Sequence, residues 1–326
     1  MLFVNYILLL SWLLDEMISI KVFSLLLGSY LLTGISAYLV NEFYDREVDA
    51  KAGKNNIAND VKSNVLAMIV FSGFSISFFM LYLVSFKASL LLIGQVVALL
   101  MYSHPLIRLK TKPTLGIVVD ATYAYVIPLL ILFAVFEVEV LSPNYLSFLL
   151  FNIFIGLRDI VLHQEQDRLN DLKSGIDSFV IKYHTDTNSV LALFEVGASL
   201  SVGCFFILSS LKIEHSYALA LAVSVYGLFA LLHWIKIQKA IRNNVLMQFY
   251  IVVSTVVIGW RLWQEEHFWM IVFLAHPYLN QFITLIFQLL NQLKILLSIV
   301  VNHSLYYGVK IFGRDLKKRP LFKKNE

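Results

Sequence analysis

Two segments of the sequence, 41–53 and 163–175, carry acidic side chains at a spacing that could bind metal ions. When aligned, both segments read Asp-Arg-x-x-Asp-x-Lys-x-Gly. Residues four apart share one face of a helix, and neighbouring carboxylates on that face repel one another unless cations neutralise them. The residues at this spacing are Asn41, Asp45 and Asp49 in the first segment and Asp167 and Asp171 in the second.

Carboxylate and amide oxygens are ligands for hard cations, and Mg²⁺ commonly bridges a few carboxylates to the phosphates of a substrate. Two acidic helix ends that face each other could therefore hold a diphosphate between them through metal ions. The expected chemistry is metal-assisted departure of the diphosphate, which leaves an allylic carbocation. A single Asp-x-x-x-Asp is more often a solvated loop, but two matched copies argue against that interpretation.

A third candidate element is the basic segment 102–113, which reads Tyr-Ser-His-Pro-Leu-Ile-Arg-Leu-Lys-Thr-Lys-Pro. Arg108 and Lys110 could bind diphosphate oxygens, and Tyr102 and Ser103 could donate hydrogen bonds to a substrate. Basic residues are also common in loops between membrane spans, so this segment predicts a binding site only in combination with the acidic motifs.

The composition places these motifs in a membrane protein. Of the 326 residues, 59% are hydrophobic and only 15% are charged, with a mean hydropathy of +0.74. Ordinary soluble domains are about 45–50% apolar and about 25% charged, so the excess apolar surface must face lipid. The single cysteine excludes an intramolecular disulfide. We predict an all-α, polytopic helical bundle with no nucleic-acid partner and no obligate protein partner.

Apolar runs long enough to cross a bilayer recur along the chain. Basic residues concentrate in four of the interior loops and the C-terminal tail, which the positive-inside rule places in the cytoplasm together with the N-terminus and both acidic motifs. A cytoplasmic tail requires an even number of crossings and favours a tenth span. We predict a multi-pass protein of the cell (inner) membrane, with spans near 2–20, 21–41, 64–85, 88–103, 114–137, 144–165, 188–210, 215–235 and 245–263 and a further segment within 267–308.

With these elements in hand, the sequence resembles the UbiA superfamily of membrane prenyltransferases. Asn41, Asp45 and Asp49 match the first family motif, in which Glu42 replaces the usual Asp. Asp167, Asp171 and Gly175 match the second motif. The Tyr-Ser-x-Pro-x-x-Arg-x-Lys loop is similar to that of members that prenylate homogentisate or chlorophyllide. The resemblance covers residues 1–263, and we predict that 264–326 form an extra hydrophobic or amphipathic helix and a basic cytoplasmic tail.

The resemblance implies nine transmembrane helices around a central cavity, with Mg²⁺ and an isoprenyl diphosphate donor. It implies that Asn41, Asp45 and Asp49 bind one metal ion and that Asp167 and Asp171 bind the other. Tyr102, Arg108 and Lys110 would contact the diphosphate or the acceptor, and Lys173 and Lys51 would add positive charge. The pair His163-Gln164 stands where several aromatic-acceptor relatives carry Lys-Asp, so the acceptor stays open.

Charged residues inside the sixth predicted span are a further signal, because charges at membrane depth usually face a cavity or a partner. Asp159 or His163 could face the cavity and position the acceptor. Alternatively, Arg158 and Asp159 could form an ion pair that holds helices together.

The leading hypothesis is prenyl transfer to an aromatic or quinone precursor. Within the same family, the acceptor could instead be a hydroxyl of a lipid or sugar phosphate, or the enzyme could be a terpene cyclase without a second substrate. A secondary transporter would use intramembrane acids for cation coupling, but these motifs lie at the membrane ends and not at the midplane.

Overall fold

The computed structural model describes residues 2–14, 18–53, 56–183 and 187–210, which are entirely helical apart from turns. The helices Pro113–Ala121 and Ile127–Val135 form one continuous helix that a π turn, Thr122–Val126, interrupts. Short 3₁₀ turns, Ile57–Asp60 and Leu109–Thr111, lie in two of the connections. The α-helices are α1 Leu2–Leu13, α2 Ile20–Ala52, α3 Ser63–Tyr82, α4 Phe86–Ser103, α5 Pro113–Ala121, α6 Ile127–Val135, α7 Pro143–Ser174, α8 Phe179–Lys182 and α9 Thr187–Ser210.

Six helices among the described residues are long and apolar enough to cross a membrane. They confirm six of the predicted spans. The predicted spans over 215–235, 245–263 and 267–308 lie outside the described residues. The six are Ile20–Lys51, Ser63–Tyr82, Phe86–Ser103, Pro113–Val135, Pro143–Lys173 and Ser189–Ser209.

The first predicted span, 2–20, differs from the structure. Helix α1 has 12 residues, about 18 Å of helix, which is short of the ~30 Å hydrocarbon core. Ser19 caps the start of α2, because its side chain accepts a hydrogen bond of 3.3 Å from the backbone N–H of Val22. The local capping signal thus begins a new helix at the end of the predicted span.

The two helices that carry the acidic motifs share an unusual length and the same ending. Helix α2 has 33 residues and α7 has 32, so each is about 50 Å long and exceeds the hydrocarbon thickness. The motifs therefore occupy the last helical turns, and not the loops that follow. Gly53 and Gly175 end the helices in the left-handed conformation, with φ of 73° and 69°. The glycine that both motifs share is the residue that stops each helix.

Replacing Gly175 by alanine is expected to lower the free energy of unfolding by about 1 kcal/mol, because a Cβ atom disfavours positive φ. Among the described residues, nothing beyond the adjoining residues of the chain lies within 4 Å of the added Cβ, so the cost is conformational. Gly94→Ala is the matched control. It also meets no neighbour, but it lies inside α4, where alanine is expected to stabilise by roughly 0.5–1 kcal/mol. Thermal unfolding in detergent would show opposite shifts, and equal shifts would contradict the capping role.

Small and polar residues allow α3 to pack closely on α2. Ser77 Oγ lies 2.7 Å from Ser29 Oγ and 2.6 Å from Thr33 Oγ1, and all three residues are buried. Such small polar residues allow close packing and hydrogen bonding between helices in membranes.

Apolar contacts hold the two motif helices in place. Val40 of α2 packs with Leu99 of α4 and Tyr123 of the π turn. A second cluster joins α5, α7, α8 and α9 beside the second motif and consists of Ile117, Ile160, Val161, Val180 and Leu191. Both clusters lie close to the acidic motifs. Their packing therefore fixes the rotation of α2 and α7, so that the acids of both helices point toward the same space.

Candidate functional site

The ends of α2 and α7 and the basic loop after α4 enclose a cavity of about 130 Å³. Acidic residues from both motifs line it, so the structure brings together segments that lie more than a hundred positions apart. Polar residues dominate the lining. The lining residues are Asp45, Val48, Asp49, Tyr102, Lys110, Ile160, His163, Gln164, Asp167, Asn170, Asp171, Ile176 and Ser178.

Each aspartate of the first motif accepts a hydrogen bond from a neighbouring side chain. Lys110 Nζ donates a hydrogen bond to Asp45, and Arg108 Nη2 lies 3.5 Å from the same carboxylate oxygen. Asn56 Nδ2 donates a hydrogen bond of 2.8 Å to Asp49. The first acid therefore contacts the basic loop, and the second contacts the turn that follows α2.

The basic loop, residues 104–112, is positioned by a close approach to α5. A Cβ atom at Gly116 would lie 3.0 Å from the carbonyl oxygen of Leu109 and 3.2 Å from the Cα atom of Lys110. Only glycine leaves room for the loop backbone there. This contact places Lys110, whose side chain is 12% exposed, against Asp45.

Opposing electrostatic effects act on the Lys110 ammonium. Burial lowers the pKa of Lys110 below its usual value, because the charged form loses hydration. The Asp45 carboxylate raises the pKa of Lys110, and the positive charge of Arg108 lowers it again. The net pKa is lowered, so a second anion in the cavity would stabilise the charged form of Lys110.

The second motif lines the α7 side of the cavity. His163 Nε2 lies 3.5 Å from one carboxylate oxygen of Asp167, and Asn170 Nδ2 donates a hydrogen bond of 3.3 Å to the other. Asp171 follows one turn later and lines the same cavity. Two acids on each of two helices thus face one small polar space.

Several predicted site residues do not line the cavity. Ser103 Oγ donates a hydrogen bond to Asn41 Oδ1, and Ser103 is 1% exposed. This contact joins α2 to α4. Lys51 and Lys173 lie exposed on the last turns of their helices. Arg108 reaches the site only through Asp45.

Asp159 belongs to a buried ionic network. Arg158 donates hydrogen bonds of 2.7 Å to Asp159 and 2.9 Å to Glu195. Tyr125 OH donates a hydrogen bond of 2.6 Å to the other oxygen of Asp159. The network ties α7 to α9 and to the π turn. This geometry is that of an ion pair that holds helices together. Of the two residues that were expected to face the cavity, Asp159 and His163, it is His163 that lines it.

The arginine that both motifs share has a structural contact in each copy. Arg46 donates hydrogen bonds of 2.9 Å to Ser63 Oγ and 3.2 Å to the carbonyl oxygen of Val61, which fixes the turn after α2. Arg168 lies 3.6 Å from Glu165 on the surface of α7. The shared arginine therefore fixes the following turn only in the first motif, whereas in the second it makes a half-exposed contact within α7.

Two polar residues of the cavity were missed by the sequence analysis. Asn170 lies at a variable position of the second motif. It follows Asp167 by three residues and therefore lies on the same helical face, and this spacing could have identified it as a site residue. Ser178 follows the glycine that ends α7. No local signal points to Ser178, because the path of the turn decides where its side chain lies.

The side chains present fit a hard cation by their chemistry. Four carboxylates line one cavity and offer the oxygen ligands that Mg²⁺ prefers. Among the described residues, no three acidic, histidine or cysteine side chains are close enough to hold an ion in this arrangement. Asp45, Asp49 and Asp167 each accept a hydrogen bond from a different protein donor. These donors bind carboxylate oxygens to which a cation would otherwise bind.

Fold and site together define an all-helical membrane protein whose acidic helix ends converge on a polar cavity. The chain belongs to the UbiA prenyltransferase family, whose sequence pattern matches residues 3–253. It is therefore a multi-pass integral membrane enzyme of that family. None of the curated proteins is similar enough in sequence to match the chain.

Solved structures of a UbiA homolog from Archaeoglobus fulgidus share the fold. The structure bound to DMAPP and Mg²⁺ is 16% identical over 79% of this chain and 93% of that chain, with a TM-score of 0.57. The structure bound to GPP and Mg²⁺ is 14% identical over 79% and 94% of the two chains, with a TM-score of 0.55. A structure bound to Cd²⁺ is 16% identical over 79% and 93%, with a TM-score of 0.54.

Proposed function

We propose that this protein is a Mg²⁺-dependent prenyltransferase that moves an isoprenyl group from a prenyl diphosphate to an aromatic or quinone precursor. The observation that carries the proposal is the shared cavity, which both pairs of aspartates and Lys110 line. The homolog from Archaeoglobus fulgidus supports the donor, because its structures contain DMAPP or GPP together with Mg²⁺. The proposed metal ligands are Asn41, Asp45 and Asp49 for one ion and Asp167 and Asp171 for the other.

In the proposed reaction, Lys110 binds the diphosphate through charge-assisted hydrogen bonds, and Arg108 adds positive charge from its position beside Asp45. Mg²⁺, when bound, neutralises the negative charge that develops on the leaving oxygens. As the carbon–oxygen bond breaks, its electron pair stays with the diphosphate and the prenyl group becomes an allylic carbocation. A nucleophilic carbon of the acceptor forms the new bond, and a base or water takes the displaced proton. Tyr102 and His163 contact the substrates from the cavity walls.

An electron-rich aromatic acceptor fits this site because its carbon needs little activation by a base. The hydroxyl of a lipid or sugar phosphate and intramolecular cyclisation of the prenyl chain are the alternatives within the family. The transporter hypothesis loses its basis, since the chain belongs to a family of enzymes. The distribution of basic residues supports a cytoplasmic position of the cavity in the cell membrane.

Removal of the metal is expected to weaken binding of geranyl diphosphate by at least about a hundred-fold, because four carboxylates would then repel the diphosphate directly. The measurement is equilibrium binding of radiolabelled geranyl diphosphate to purified protein in nanodiscs, with Mg²⁺ or with excess EDTA. Geraniol, which lacks the diphosphate, is the control and should show no such dependence. Equal affinity for geranyl diphosphate in both conditions would refute the proposed site. Mass spectrometry after incubation with a membrane lipid extract would then identify the prenylated acceptor.

A further inference from the structure

The α7 side of the cavity carries two buried polar residues beside the acids of the second motif. Gln164 is 7% exposed and Ser178 is 2% exposed, and both line the cavity with Asp167 and Asp171. Gln164 lies one helical turn before Asp167, and Ser178 lies in the turn between α7 and α8. The two residues therefore come from different elements but meet at one wall.

The hydroxyl of Ser178 is a buried polar group for which the described part of the chain provides no hydrogen-bond partner. The backbone of Ser178 is fully paired, because its N–H donates to the carbonyl of Ile176 at 3.1 Å and its carbonyl accepts from Lys182 at 2.9 Å. The side chain makes no capping bond to α8. An unpaired buried hydroxyl is unfavourable, so a ligand that accepts its hydrogen bond would be stabilised here.

The amide of Gln164 has a defined orientation. The backbone N–H of Phe179 donates a hydrogen bond of 3.0 Å to Gln164 Oε1. Because a backbone N–H requires an acceptor, this contact assigns the oxygen end of the amide. The NH₂ end is left for the cavity, so this wall offers an amide donor beside the hydroxyl donor of Ser178.

A ligand that binds the neutral hydrogen-bond donors of Ser178 and Gln164 must carry oxygens that accept hydrogen bonds, and it must fit a small cavity. A diphosphate meets both conditions, since the cavity of about 130 Å³ already contains the acids that would bind it through metal ions. Lys110 is the only lysine or arginine among the lining residues of this cavity. Further donors are needed because a diphosphate presents many oxygens that lose water on entering.

We propose that Ser178 and Gln164 donate hydrogen bonds to the diphosphate of the prenyl donor from the α7 wall, while Lys110 binds it from the loop after α4. This inference rests on the proposed function and adds to it a pair of neutral donors. Ser178 lies outside both acidic motifs, so the diphosphate site extends past the end of α7 into the following turn.

The test is equilibrium binding of geranyl diphosphate and of inorganic diphosphate, each with Mg²⁺, to the full chain in nanodiscs. Ser178→Ala removes one donor, and Gln164→Glu keeps the acceptor for Phe179 but replaces the NH₂ group by a negative oxygen. Each substitution is expected to raise both dissociation constants by about ten-fold or more. Gln166→Glu is the matched control, because it adds the same charge to an exposed position of the same helix.

A thermal melt separates binding from folding. Ser178→Ala should leave the melting temperature unchanged or raise it, because no hydrogen bond of the fold is lost. Dissociation constants within two-fold of the wild type in both Ser178→Ala and Gln164→Glu would overturn the inference while Mg²⁺-dependent binding by the wild type preserves the proposed function. An effect on geranyl diphosphate without one on inorganic diphosphate would also overturn it. Failure of the wild type to bind either compound would instead remove the proposed function.

Discussion

Asp167→Asn is expected to reduce Mg²⁺-dependent turnover of geranyl diphosphate by about a hundred- to a thousand-fold. Asparagine has nearly the same size but no charge, so it can neither attract the metal nor compensate the charge of the departing diphosphate. Asp45→Asn should have a similar effect, because Asp45 lines the same cavity on α2. Diphosphate release from radiolabelled substrate in the presence of a membrane lipid extract measures the turnover.

Asp177→Asn is the matched control for this substitution. Asp177 is exposed and lies in the turn beyond α7, outside the cavity lining. Its loss should change turnover by less than about two-fold, since exposed charges are screened. Combining Asp45→Asn with Asp167→Asn should add little to either alone, because residues that act as a unit are not additive. Undiminished turnover in both single variants would exclude the acidic cavity as the catalytic site.

Arg158→Met is expected to destabilise the bundle by about 3–5 kcal/mol, the usual cost of removing one partner of a buried ion pair. The side chain of Arg158 is 4% exposed and contacts two carboxylates, of which Glu195 is 3% exposed. Without the guanidinium, two negative groups would remain in a bundle interior that lacks water to solvate them. Thermal or denaturant unfolding of the protein in detergent measures the loss.

The double variant Arg158→Met/Glu195→Met should recover part of this stability, because the most buried acid disappears together with its partner. Arg168→Met is the control. Arg168 lies 3.6 Å from Glu165, and both side chains are 38% exposed, so its loss should cost less than about 1 kcal/mol. Equal melting temperatures for Arg158→Met and Arg168→Met would show that the network does not hold α7 against α9.

The local patterns of the sequence predict the elements well where the signal is contained within one helix. Six apolar runs form helices that are long and apolar enough to cross a membrane. The pattern overestimated the first span, since α1 ends at Leu13 and Ser19 caps the next helix. The spacing of the acids predicted that both motifs lie on helix ends. Accordingly, α2 continues past its predicted span to Ala52 and α7 continues to Ser174, where each helix ends at a glycine cap.

By itself, the sequence determined the membrane class, the acidic motifs and the family resemblance, because composition, helical periodicity and motif spacing are local properties. Only the tertiary structure decided which polar side chains share a space. It brought Ser178 to the cavity, joined Asn41 to Ser103 and placed Asp159 in a network with Arg158. These contacts depend on how helices that are distant in sequence pack against one another. The distances between such helices cannot be derived from the spacing of residues along the chain.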